Sequence, residues 1–328
     1  MARRAGRPHQ YGSSARDQLN VGDKARITIN NSPARPVGAT AVGDAAKKTG
    51  GVGMLVVAAV LGVIYLLSDA DEGRPDDVFP AQTDPLPPGL TTPAVTAAAA
   101  SGLRSCVREV VLQPVNCPQS VDESYPEDAE DVSWSLHGDP TDGARVSFQS
   151  STKRFQVVGN AIMSADYTIL DERKAVTLPV PYLATFTWED GRLIQDEIRR
   201  FSGTADPPIV KTDPAIPRNR VLSLVAAEFR RCAAVKSAPM PPRCPQPEYP
   251  EEQDHASWVL NGDPVANARV SFDPGTGLTH VVGNYSATVR YKAFLDDGDV
   301  THSGAYEALV AVDGGKPRVV QISGKAGG

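Results

Sequence analysis

ARVSF, residues 144–148, returns letter for letter as residues 268–272, and this repetition decides how the rest of the chain is read. At the same offset of 124 residues, YPE at Tyr125 answers YPE at Tyr249, SW at Trp134 answers SW at Trp258, and GDP at Gly138 answers GDP at Gly262. VVGN from Val157 recurs from Val281, and Tyr167 recurs as Tyr291. CPQ at Cys117 comes back at Cys244, displaced by three residues through a longer loop. So many words in one order and nearly one register mean a duplicated unit. Copy one is expected over residues 93–203, a linker over 204–217 and copy two over 218–325.

Each copy reads as one helix followed by antiparallel strands. In VLSLVAAEFRRCAAV from Val221, the residues Leu222, Val225, Ala226 and Phe229 share a helical face, and Arg230 and Arg231 near the end suit the helix dipole. AVTAAAASGLRSCVREVV is the matching stretch of copy one. Beyond the second cysteine the period falls to two, with Ala144, Val146 and Phe148 alternating with Arg145 and Ser147. Residues 156–158, 164–170, 182–188 and 193–201 also read as strands, and GDP supplies a turn. The expected class is α+β: one transmembrane helix, then two tandem domains, each a helix plus a curved antiparallel sheet.

Two cysteines fall in each copy, Cys106 with Cys117 and Cys232 with Cys244. Duplication of a self-contained unit preserves pairing within a copy, so the bridges are expected there, each tying a helix end to the CP loop. Neither a CxxC pair nor a histidine recurring at the offset supports a metal site. Disulfides agree with export.

Residues 50–68 read GGVGMLVVAAVLGVIYLLS, without a charge, and as a helix would span about 28 Å. Nine Lys and Arg precede this run against three Asp, which places the N-terminus in the cytoplasm and the bulk of the chain outside. The sequence SDADEG follows the run where a cleavage site would need small residues, so a retained single span is expected. Residues 69–92, acidic and rich in proline, read as a stalk. Residues 1–49 read as a mostly disordered cytoplasmic tail. Within it DQLNVGDKARITINN, residues 17–31, alternates Ala25, Ile27 and Ile29 with polar neighbours and could pair as a strand with a partner.

The net charge is −6, from 33 Lys plus Arg against 39 Asp plus Glu, and lacks the basic excess that nucleic acid demands. The five histidines His9, His137, His255, His280 and His302 form no recurring set; His137 faces Asn261 across the repeat. No catalytic, cofactor or metal residues are expected, and the enzymatic reading ranks behind binding and signalling. Recurring polar residues invite bland readings: Trp134 and Trp258 as core, Asp139 and Asp263 as turn residues, Asn160 and Asn284 as strand ends. Arg145 and Arg269, each expected to bridge its GDP aspartate, remain possible binding residues with Tyr167 and Tyr291.

A cysteine near a helix end, a CP loop and a following SW strand resemble the extracytoplasmic parts of uncharacterised actinobacterial single-pass membrane proteins. The order of a helix and a curved sheet is similar to the cystatin-like shape of nuclear-transport-factor-like domains. These resemblances imply a fold and an address, and transfer no catalytic residue. The functional expectation is a membrane-anchored protein binding an envelope ligand or protein partner without catalysis; the alternative is a transmembrane sensor or adaptor signalling through residues 17–31.

Overall fold

The computed structural model describes residues 18–21, 25–29, 79, 83–205, 208–245, 256–292 and 297–325. Copy one opens with helix α1 (Thr92–Cys106), whose first turn is closed by the Thr91 hydroxyl accepting from the Ala94 amide, with Pro93 beside it. Strands β3 (Glu130–His137), β4 (Arg145–Gln149), β5 (Arg154–Ile169), β6 (Glu172–Glu189) and β7 (Arg192–Arg200) follow. Copy two repeats the plan: helix α2 (Arg218–Ala233), then β8 (Ser257–Leu260), β9 (Arg269–Asp273), β10 (Leu278–Lys292), β11 (Asp297–Asp313) and β12 (Lys316–Lys325). In both copies a long central strand carries two short antiparallel partners side by side along one edge, β3 and β4 on β5, β8 and β9 on β10. The same bulge recurs, between Thr185 and Phe186 and between Leu309 and Val310. Each sheet curls, and the concave side takes the helix.

Strands dominate, so the expected α+β class gives way to a β-rich one, two curled antiparallel sheets with a single helix on each. The helix of each copy covers one side of hairpins whose strands run up to 18 residues, longer than any stretch of clean alternation in the sequence. Segments 156–158 and 164–170, expected as separate strands, are one strand, β5, and Asn160 sits in its middle rather than at an end. The transmembrane helix of the expected architecture is likewise not found: among the described residues no helix is long and apolar enough to cross a membrane, and residues 50–68 lie outside them.

In α2 the buried stripe is Val221, Val225, Phe229 and Cys232, a spacing of four, four and three. Phe229 stands edge-on to Tyr306, ring centres 4.7 Å apart. Helix α1 is narrower; Val95, Ala98, Ala99 and Leu103 are fully covered, and small side chains let the helix lie close to its sheet. Disulfides join Cys106 to Cys117 and Cys232 to Cys244. They fit an oxidising, extracytoplasmic compartment.

A lock recurs in both cores. The rings of Tyr182 and Tyr306 lie over Gly159 and Gly283, and their hydroxyls donate to the Pro140 and Pro264 carbonyls at 2.9 and 3.0 Å. The glycine of VVGN and the proline of GDP therefore recur for one reason: a buried tyrosine needs a flat seat and an acceptor. Trp134 and Trp258 are also core residues, donating from Nε1 to the Val111 and Ser237 carbonyls, each at 2.9 Å.

The convex faces meet, staggered. Ile162 of β5 packs with Leu278, Leu309, Ala311 and Val320 of copy two in a small shared apolar cluster. At the matching place on copy two, Ile162 and Ser164 become Ser286 and Thr288, which with Asn261, Thr301 and Ser303 form a solvent-facing ladder of hydrogen bonds. Conversely, Leu278, Ala311 and Val320 become Arg154, Thr187 and Asp196 in copy one, a polar group that bonds internally.

The tail segment forms strands β1 (Gln18–Val21) and β2 (Ala25–Ile29), and β2 lies parallel to the edge strand β7, Ile27 opposite Leu193.

Candidate functional site: the cleft between the copies

The stagger leaves a cleft of about 650 Å³ whose walls come from both copies. Copy one contributes Ser135, His137 and Asp166; copy two contributes Glu228 and Arg231 from α2, Arg243 from the disulfide loop and Arg318 from β12. Arg243 is aimed by its bridge, since it precedes Cys244. Its guanidinium donates from Nε to Asp166 Oδ1 at 3.0 Å and from Nη2 to Oδ2 at 2.5 Å, with Nη1 on the Val320 carbonyl. This fork is the geometry in which Arg holds a carboxylate best. Arg231 pairs with Glu228 one turn earlier on its own helix, at 2.6 Å.

His137 forms the partition between this cleft and a second of about 450 Å³. Only 3% exposed, it has Nε2 2.5 Å from Ser164 Oγ and Nδ1 3.5 Å from Asp313 Oδ2, while Asp313 Oδ1 accepts the Gly138 amide. Serine, histidine and aspartate in that order resemble a nucleophile, its base and its orienter. Ser164, however, is 1% exposed and lines neither cavity, so its hydroxyl has no room for a substrate carbonyl. The chain instead links β3 and β5 of copy one to the end of β11 in copy two.

Burial pushes the pKa of His137 below the ordinary 6.5; Arg243 and Arg318 add to this, and Asp313 opposes it. With the folded value depressed, the unfolded chain binds the proton more readily. The stabilisation by neutral His137 is complete above 6.5 and is lost as the pH falls below that value toward the lowered one. Thermal unfolding is therefore expected at lower temperature at pH 5 than at pH 7, and in His137→Asn, which carries the residue of copy two, that difference should shrink. An unchanged difference would remove His137 as its source, since His302 shifts in the same direction.

The second cavity is floored by the linker. Lys211, 6% exposed, donates from Nζ to the Asp139 carbonyl at 2.8 Å and from its backbone amide to Pro274 at 2.8 Å. Asp142 holds Thr212 by amide and hydroxyl at 2.8 and 2.9 Å. Lys211 thus bonds the linker to both copies, and Thr212 adds a second tie to copy one. Burial lowers the Lys211 pKa to about 8. Its charge is unfavourable in the fold, so stability should rise as the pH climbs from about 8 and the amine neutralises, and Lys211→Met should flatten that rise in urea titrations.

The residues singled out from the sequence fall elsewhere. Arg145 is half-buried opposite Val158, and Tyr167 lies nine residues further along β5, about 30 Å away. Tyr167 donates to Glu123 at 2.5 Å, and Lys174 reaches the same carboxylate at 3.1 Å. Arg269 is exposed and makes no ion pair among the described residues, and the Tyr291 side chain lies outside them. The GDP aspartates are turn residues: Asp139 accepts from Thr141, and Asp263 accepts from the Val265 amide. Asn160 reaches across the interface to the Gly275 carbonyl at 2.5 Å. Among the described residues no group of three His, Cys, Asp or Glu is placed to hold a metal.

No protein-family model, no curated protein and no solved structure matches the chain.

Proposed function

We propose that the chain is a non-catalytic, extracytoplasmic binding protein that takes its ligand in the cleft between the two copies. The supporting observation is the cleft itself, roomy enough for a small molecule and walled by charged side chains from two separately folded cores. A ligand seated there touches both copies and tightens their contact. The test is thermal unfolding of the full-length protein against soluble envelope fragments of several chemistries, beside Ala227→Trp, which fills the cleft from an exposed helical position. Saturable stabilisation of the wild type that disappears in the variant supports the reading; stabilisation by no fragment, or equally in both proteins, removes it. A serine-directed phosphonate probe should leave Ser164 unlabelled; labelling would restore the catalytic alternative.

Attachment to a membrane by residues 50–68 belongs to the same proposal and rests on their length and lack of charge. A second reading, an adaptor recruiting a partner through residues 17–31, is favoured by the capacity of β2 to add to a sheet edge. The two meet in one constraint. Strand β2 precedes residues 50–68 and β7 follows them, so a single crossing by that run would keep the strands apart. Cysteines at Ile27 and Leu193 in whole cells decide the matter. Position 27 shielded from an impermeant maleimide supports a crossing with the tail inside, whereas a 27–193 bridge rules out both the crossing and the cytoplasmic adaptor.

A further inference from the structure

The geometry points to an anion, a carboxylate or phosphate group on a small molecule, as the ligand class of the inter-copy cleft, with Arg318 as its principal contact. This rests on the binding reading above and narrows it. The cleft brings together three guanidinium groups and two carboxylates, a local positive excess in a chain whose net charge is −6. Two of the three are already satisfied: Arg243 is held by Asp166, and Arg231 by Glu228. The Arg318 side chain, exposed on β12, has no hydrogen bond or ion pair among the described residues, and it borders the same space. A planar guanidinium with open donors, flanked by two others fixed in place, favours an oxyanion that can accept in pairs.

Its surroundings fit that assignment. His137, at the back of the cleft, is disfavoured as a cation partly by Arg243 and Arg318, so the charge of Arg318 is felt within the cleft. Copy two cannot offer such a site to a further unit, because Arg290 stands where copy one has Asp166, and in copy one Ile194 occupies the place of Arg318. The site is therefore made once per chain, by the differences between the copies.

The test uses the full-length, disulfide-intact protein in detergent at constant ionic strength, titrated by calorimetry with inorganic phosphate, glutarate and glucose. The expected result is saturation by phosphate or glutarate with a Kd on the order of 1 mM and none by glucose. Affinity should fall about tenfold or more in Arg318→Gln, recover in part in Arg318→Lys, and vanish in Ala227→Trp. Phosphate alone or glutarate alone identifies which oxyanion is preferred and supports the assignment either way. Binding of glucose that Ala227→Trp abolishes, without anion binding, overturns the anion assignment and leaves the cleft as a ligand site. Anion binding indifferent to both Arg318→Gln and Ala227→Trp places the site elsewhere and overturns both. No saturation by any of the three overturns the anion assignment alone.

Discussion

Gly159→Ala should destabilise copy one by about 3 kcal/mol, and Gly283→Ala should do the same to copy two. A Cβ on Gly159 would stand 2.5 Å from the Tyr182 hydroxyl oxygen and 2.6 Å from the ring carbon bearing it; on Gly283 the nearest atoms of Tyr306 lie 2.8 Å away. Tyr182 has no free space into which to retreat, being fully buried between the sheet and α1, and its displacement also breaks the bond to Pro140. Overpacking and an orphaned buried hydroxyl then act together. The check is urea unfolding of Gly159→Ala, Tyr182→Leu and the double variant. Because the smaller side chain relieves the clash, the double variant should cost clearly less than the sum of the singles. Additive costs would mean that the glycine is required for some other reason.

Loss of the second disulfide, by Cys232→Ala with Cys244→Ala, should cost about 3 kcal/mol from loop closure alone. The two bridges close loops of nearly equal length, with sequence separations of 11 and 12, so chain entropy predicts nearly equal losses. The structure breaks this parity. The loop closed by Cys232–Cys244 delivers Arg243 to Asp166 and Val320, whereas the corresponding residue of copy one, before Cys117, is Asn116. Removing the second bridge should therefore loosen the contact between copies and expose Ile162 and Leu278 to hydrogen exchange, while removing the first should leave that contact intact. Equal exchange at the interface in both variants would show that Arg243 does not depend on its bridge.

What was legible in the sequence followed from identity between the copies. Repeated words located two units, and pairing of Cys106 with Cys117 followed from duplication. Long strands were harder to see, because β5 is covered on both faces: Val158 and Ile162 are as buried as Val157 and Met163, so alternation vanishes. Gly159-Asn160 looked like a strand end, since the tyrosine that needs the glycine lies 23 residues later. Tyr182 and Tyr306 do recur at the offset, yet their neighbours differ, PYL against AYE, and no shared word marks them. The cleft was hidden for the opposite reason. Attention to recurring polar residues selects Arg145, Arg269, Tyr167 and Tyr291, whereas His137, Asp166, Arg243 and Arg318 stand opposite Asn261, Arg290, Asn116 and Ile194. The charged side chains that meet between the copies lie where the copies disagree.

That disagreement has a further consequence on the convex faces. Two identical units joined through unlike patches carry one unused patch at each end, and such an arrangement can recruit molecule after molecule into a fibre. Here the outward patch of copy two is a hydroxyl and amide ladder closed upon itself, and that of copy one is a bonded Arg154–Asp196–Thr187 group. Each terminus is thus capped by residues content with one another and with water, as in the end repeats of a solenoid. The differences between the copies leave each outward patch polar where the shared interface is apolar.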